Sequence, residues 1–178
     1  MTRAEDPGWR RRVDGLWAAF DSYGAEGEAG AARFREEMEA LAGELPAEDP
    51  VGLFERASAH DSTGSEAVAA ALYRRALAGG LPGDLRRQAV IQLASTVRNL
   101  GDPGESVALL SAERGSGAGD GPEDGPEHGL GDAVDAFLAL ALTDLGRERE
   151  AVALLLRALA PHLPRYRRSV VNYSRDLG

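Results

Sequence analysis

The side chains that could carry out chemistry are few, and their spacing matches no catalytic or metal site. Cysteine is absent, which excludes thiol nucleophiles and thiolate metal sites. Lysine is also absent, since all 20 basic residues are arginines, and this excludes Schiff-base catalysis and a phosphate-loop lysine. The histidines, His60, His128 and His162, are scattered and lack metal-ligand spacing. We therefore expect no metal, no cofactor and no catalytic residue.

One pair of neighbours, His60 and Asp61, suggests a general base oriented by a carboxylate. Adjacent residues of a helix diverge by about 100°, however, so these side chains do not face each other. We therefore favour a packed or exposed histidine near a helix end. The acidic residues between Asp120 and Glu127 lack the pattern of a calcium-binding loop.

Length and charge exclude further classes of function. The 178 residues suit one domain, 1–178, and 43% of them are hydrophobic, as in a globular protein. The net charge of -9 makes general nucleic-acid binding unfavourable. No uncharged apolar run approaches the roughly 18 residues of a membrane helix, and the acidic first residues do not resemble a signal peptide. The sequence thus predicts a cytoplasmic protein with neither a nucleic-acid nor a membrane partner.

Positive charge is concentrated at two places. Residues 147–178 carry seven arginines and three acids, whereas residues 102–146 carry one arginine and ten acids. Tyr166 and Tyr173 alternate with arginines, a pattern that suits stacking on single-stranded nucleic acid. Both tyrosines fall on an apolar helical stripe, so we predict that they lie in the core. The arginines at 10–12 are interpreted as a solvated helix face.

Apolar residues recur at helical spacing along nearly the whole chain, and no run shows the alternation of a strand. The predicted fold class is therefore all-α. The predicted helices are 7–22, 28–44, 50–62, 65–78, 85–100, 103–114, 132–145, 147–161 and 164–177. In the eighth of these, 147–161, the residues assigned to the buried face are Ala151, Val152, Leu155, Ala158 and Leu159. Residues 115–131 hold seven glycines and four acids, which predicts a flexible acidic loop.

A repeat becomes visible when Gly64, Gly101 and Gly146 are aligned, at spacings of 37 and 45 residues. Each glycine follows one predicted helix and precedes another, where a residue with positive φ is favoured. Small residues recur at equivalent positions around it. The clearest unit runs from Leu145 to Leu159.

These features resemble the tetratricopeptide repeat superfamily and, more narrowly, a group of small actinobacterial and firmicute repeat proteins. The segments that carry the likeness are Leu53–Ser62, Leu72–Leu77 and Ile91–Gly101. The resemblance covers about residues 50–178. It implies a right-handed α–α superhelix of about three helical hairpins, with an N-terminal helical hairpin as leader and a C-terminal capping helix. The implied divisions are leader 1–46, repeats 50–163 (50–80, 84–114 and 132–163) and cap 164–178.

The resemblance further implies that the first helix of each hairpin lines a concave groove. The polar residues that these helices offer to a ligand are Ser58, Asp61, Gln88, Gln92, Ser95, Arg98, Asn99, Thr143 and Asp144. In one interpretation Arg98 reads a ligand carboxylate, because its guanidinium fork matches one. In the other, Arg98 pairs with Asp61 and only stabilises the stack.

The function this suggests is a non-enzymatic scaffold that binds a protein or peptide partner through the groove. The alternative is a small-molecule-binding protein or a biosynthetic enzyme that uses the polar cluster of Asp61, Arg98 and Asn99. Chaperone-binding members of the superfamily use groove lysines, so this chain is not expected to share that activity. We also predict a homodimer, because an uncapped end of a repeat stack exposes an apolar side.

Overall fold

A computed structural model describes residue 4, residues 6–116 and residues 128–177. Within these ranges the chain forms ten α-helices and no strand, so the all-α prediction is confirmed. The helices are α1 (Pro7–Ala18), α2 (Phe20–Gly24), α3 (Gly27–Ala42), α4 (Pro50–Ser62), α5 (Glu66–Ala78), α6 (Gly83–Asn99), α7 (Pro103–Gly115), α8 (His128–Asp144), α9 (Glu148–Leu159) and α10 (Arg167–Arg175). The chain divides into two compact units, Met1–Ala89 and Val90–Gly178, with the boundary inside α6.

Three turns with the same geometry join α4 to α5, α6 to α7 and α8 to α9. Their glycines have positive φ, 79° at Gly64, 95° at Gly101 and 72° at Gly146. After each glycine, the next residue donates its backbone N–H to a carbonyl five positions back: Ser65 to His60 (2.8 Å), Asp102 to Val97 (2.9 Å) and Arg147 to Leu142 (2.9 Å). This is the Schellman C-cap, which requires a left-handed residue at the glycine position. The predicted repeat of helical hairpins is therefore confirmed.

In the first unit, aromatic side chains of α1 and α2 pack against α3. Trp9 is fully buried, and its Nε1–H donates to the Leu41 carbonyl at 2.9 Å. The Phe34 ring meets Trp17, Phe20 and Tyr23 edge-on, with ring centroids 4.8 to 5.4 Å apart. The helices come so close that a Cβ on Gly30 would lie 1.9 Å from the Tyr23 carbonyl oxygen.

In the second unit, one apolar core is shared by α6, α7, α8 and α9. Its buried members are Ile91, Ala94, Leu110, Val134, Leu138, Ala139, Leu142, Ala151 and Leu154. Four consecutive helices thus contribute to the same core, as expected for two hairpins stacked on each other.

Several predicted boundaries were wrong. The helix predicted at 7–22 is interrupted at Ala19, and the short α2 places Phe20 and Tyr23 against Phe34. In the predicted loop 115–131, residues 128–131 are helical, because Leu130 packs on the core of the second unit. Residues 117–127 of that loop lie outside the described residues. The last helix begins at Arg167, not at 164, since Tyr166 adopts a left-handed φ of 69°.

The predicted burial of the last two helices was right for Ala151, which is 2% exposed, and wrong for the larger side chains. Val152, Leu155 and Leu159 of α9 are 45%, 43% and 50% exposed. Helices α8 and α10 both pack on α9, and they leave this third face uncovered. Tyr166 and Tyr173 are 75% and 68% exposed rather than in the core, because Tyr166 precedes α10 and Tyr173 lies beside its packed face.

Candidate functional site

One face of α6 carries polar side chains at helical spacing. Gln88, Gln92, Ser95 and Asn99 follow one another three or four residues apart, so they line the same face. We call these four residues the α6 polar face. The first three are half-buried and Asn99 is exposed, while Leu93, Ala94 and Val97, among others, bury the opposite side of the helix. The core thus fixes the rotation of α6 and leaves the polar face accessible.

Arg98 lies beside the α6 polar face and forms an ion pair with Asp144. The Arg98 Nε is 2.5 Å from Asp144 Oδ2, and a second guanidinium nitrogen is 3.2 Å from Oδ1. The two residues occupy the last turns of α6 and α8, next to equivalent Schellman turns, which brings them to the same height. One of the two interpretations of Arg98 was an ion pair with Asp61. In the structure, the partner of the Arg98 guanidinium is Asp144.

The Arg98–Asp144 pair is only partly shielded from water, since the side chains are 25% and 38% exposed. An ion pair at this exposure contributes about 0 to 1 kcal/mol to stability. The pair is therefore a weak contact, and part of the Arg98 side chain stays exposed.

Thr143 lies next to Asp144 and is exposed. Its hydroxyl donates to the Ala139 carbonyl at 2.9 Å, within its own helix. The hydroxyl oxygen retains lone pairs that can accept a hydrogen bond from a ligand. Of the site residues predicted in the second unit, the structure thus brings Arg98 and Asp144 into contact, with Thr143 next to Asp144 in the chain.

Ser58 and Asp61 belong to the first unit and are engaged by the Tyr73 hydroxyl. This hydroxyl lies 3.3 Å from Ser58 Oγ and 3.5 Å from Asp61 Oδ2. Burial, together with the nearby Asp61 carboxylate, raises the pKa of Tyr73, so the phenol stays protonated and can donate. Ser58 is only 5% exposed. Its role in the α4–α5 hairpin is therefore internal, and the prediction that it contacts a ligand gains no support.

Sequence reasoning missed a buried carboxylate, Glu55, which is 3% exposed. Its Oε1 accepts from Arg10 at 2.7 Å, and its Oε2 accepts from Trp17 Nε1 at 3.0 Å. Burial raises the pKa of Glu55, although Trp17 and Arg10 oppose the shift. The spacing of Glu55 indicates this burial, because Glu55 lies four residues after the buried Val51 and three before the buried Ser58, on the same face of the helix.

The arginines at 10–12 are therefore more than a solvated face. Arg10 links α1 to Glu55 on α4, and Arg12 forks onto both carboxylate oxygens of Glu44 at 2.6 and 2.8 Å. Each of these two contacts joins α1 to a later part of the first unit. Both arginines thus have structural partners.

Two of the three histidines, His60 and His162, have side chains that the structure describes, and their surroundings differ. Burial and the nearby Arg35 lower the pKa of His60, so its ring is neutral at pH 7. His162 Nε2 lies 2.8 Å from Asp132 Oδ2 at the surface. No cluster of three or more histidine or carboxylate side chains within the described ranges could hold a metal ion.

None of the helices in the described part of the chain is long and apolar enough to cross a membrane.

A family model described as Tetratrico peptide repeat matches residues 50–177. The match begins at the first residue of α4 and includes the three hairpins with their Schellman turns, as well as α10. Helices α1 to α3 lie before it. Comparison with curated proteins and with solved structures finds no match to the chain.

Proposed function

Because the chain belongs to the tetratricopeptide repeat family, we propose that it is a non-enzymatic interaction module that binds an extended segment of a protein partner. The observation that carries this proposal is the α6 polar face, with Arg98 and Asp144 at its end. Amide side chains donate and accept hydrogen bonds at once, as a peptide backbone requires. Gln88, Gln92 and Asn99 offer this chemistry at successive turns of one helix.

The charge of the binding segment is set by Arg98. Its guanidinium already holds the two oxygens of Asp144, which is the geometry that a ligand carboxylate would adopt. We propose that a carboxylate of the bound peptide takes the place of Asp144. Removal of the Asp144 charge should then strengthen binding, because the competitor is lost.

The alternative, a small-molecule binder or biosynthetic enzyme built on Asp61, Arg98 and Asn99, gains less support. Asp61 lies beside the Tyr73 hydroxyl, and Arg98 is paired with Asp144. Each charged member of that cluster thus has a partner in its own unit. The interaction module remains the better account of the polar residues.

The proposal can be tested by selecting peptides from a phage-displayed random library on the immobilised full-length protein. The affinity of a selected peptide for variants is then measured by calorimetry. Asn99→Ala should weaken binding about tenfold, because one or two hydrogen bonds to the backbone are lost. Asn172→Ala, an exposed amide on α10, is the matched control and should leave the affinity unchanged.

Charge variants test the part assigned to Arg98. Arg98→Lys should lower the affinity for a carboxylate-bearing peptide, since an ammonium cannot reproduce the two parallel hydrogen bonds of the guanidinium. Asp144→Asn should raise the affinity for the same peptide about threefold, in line with the small contribution of an exposed ion pair to stability. The proposal would be overturned if the affinity of the selected peptides did not change in the Asn99→Ala, Arg98→Lys and Asp144→Asn variants.

A further inference from the structure

A cavity of about 540 Å³ lies between α1 and α3 in the first unit. It is open to solvent, and its apolar part is built from small or aliphatic side chains, with Leu16, Ala19 and Ala40 among them. We call it the α1–α3 cavity. A site for a small ligand or an anchoring side chain typically has a volume of about 300 to 1,000 Å³ and an apolar lining with a few polar groups. The family match begins only at residue 50, so the family does not account for this feature.

Gly15 lines the α1–α3 cavity from the interior of α1. A glycine inside a helix costs about 1 kcal/mol relative to alanine. At Gly30 the backbone of Tyr23 requires the glycine, but a Cβ on Gly15 would meet no atom within 4 Å. The packing of the described residues therefore gives no reason for glycine at position 15. A ligand lying against the helix would give one, because it needs the space that a side chain would fill.

Polar groups stand at two edges of the α1–α3 cavity. At one edge Arg12 forks onto Glu44, so the charges of that pair cancel. At the other, the Tyr23 hydroxyl donates to Glu37 Oε2 at 2.8 Å. Within the described residues no cation pairs with Glu37, and the nearby Arg33 is bonded to Glu26 at 2.8 Å. The cavity thus has an apolar part and, at its edge, the exposed Glu37 carboxylate, which forms no ion pair with a cation of the described residues.

We propose that the α1–α3 cavity binds a basic side chain from a peptide segment of a partner protein. The aliphatic stem of an arginine or lysine lies on the apolar part beside Gly15 and Ala19, and its cation pairs with Glu37. Long basic side chains bury their methylene stems on apolar surface while the charge stays at the edge. This site is separate from the α6 polar face, so either can be present without the other.

The test is an NMR titration of the ¹⁵N-labelled full-length protein with the peptide Ac-Ala-Leu-Arg-Ala-Leu-NH2. The same peptide with citrulline in place of arginine has the same shape without the charge. We expect saturable shifts of backbone amides in α1 and α3, and an affinity at least about fivefold higher for arginine than for citrulline. Glu37→Gln should remove this difference, while Glu36→Gln, a neighbouring exposed acid, should preserve it.

Gly15→Leu places a side chain on the apolar part of the cavity, where the stem of the basic residue is proposed to lie, and should abolish the shifts. Leucine favours the helix and meets open space, so the variant should fold, as a circular dichroism melt will show. Gly131→Leu in α8, where a Cβ also meets nothing within 4 Å, is the matched control and should bind like the unmodified protein. Absence of saturable shifts, equal affinity for both peptides, or full binding by the Gly15→Leu variant would each overturn the proposal.

Discussion

At the scale of single residues, Glu55 shows how a buried charge holds two helices together. Its two carboxylate oxygens accept from Arg10 and Trp17, so α4 and α1 are joined through one side chain. Glu55→Ala leaves the half-buried Trp17 N–H without its acceptor, and we expect a loss of about 1 to 3 kcal/mol in the free energy of unfolding. Urea unfolding measures this. A loss below about 0.5 kcal/mol would show that the contact contributes little.

Glu55 also predicts a pH dependence. Because burial raises its pKa in the folded protein above the ordinary value of 4.5, the folded state holds this proton to higher pH than the unfolded state does. The contribution of Glu55 to stability is therefore complete below pH 4.5 and is lost as the pH rises through the folded pKa. Relative to the unmodified protein, Glu55→Gln should gain stability between pH 4.5 and 7. A difference that does not vary with pH in urea unfolding would contradict this.

Two helical glycines should respond to alanine in opposite directions. Gly30→Ala places a methyl group against the Tyr23 carbonyl and should lower the free energy of unfolding by more than about 2 kcal/mol. Gly15→Ala meets open space and should raise it by up to about 1 kcal/mol. Chemical denaturation of both variants checks the pair. A destabilised Gly15→Ala protein would mean that the helix needs glycine there for folding.

Among the helices, α9 shows that an apolar residue need not be a buried one. Leu154 is 4% exposed and belongs to the core of the second unit, whereas the adjacent Leu155 is 43% exposed. We expect Leu154→Ala to cost about 2 to 5 kcal/mol and Leu155→Ala less than about 1 kcal/mol. Equal losses in thermal or urea unfolding would show that both faces of α9 are covered.

The exposed face of α9 could not be predicted from the sequence. Periodicity identified α9, but it could not tell how many neighbours cover the helix, and Val152, Leu155 and Leu159 were assigned to the core. The turn glycines could be predicted because a left-handed residue is a local requirement. The Arg98–Asp144 pair could not, because its partners are 46 residues apart and meet only through the packing of α6 and α8. Arg98 and Asp144 were assigned to the candidate site only because the family resemblance implied a groove.

At the scale of the whole molecule, we retain the prediction of a homodimer and assign its interface to the uncovered face of α9. Glu148 lies at the start of this face, while Arg165 follows the helix. An antiparallel pair of α9 helices would bring these opposite charges together and bury Leu155 against its copy. Leu155→Glu should therefore give monomers, and Val68→Glu, at a 47% exposed valine of α5, should not. A light-scattering mass of 18.8 kDa for the unmodified protein at tens of micromolar would contradict the prediction.

We propose that a peptide segment binds along the α6 polar face and reaches Arg98. The most direct test of this proposal is to map the backbone amide shifts that a library-selected peptide causes in the ¹⁵N-labelled protein. We expect the largest shifts to cluster at Gln92, Ser95, Asn99 and Thr143, and to saturate at lower peptide concentration in the Asp144→Asn variant. Saturable shifts that avoid α6 and α8 would contradict it.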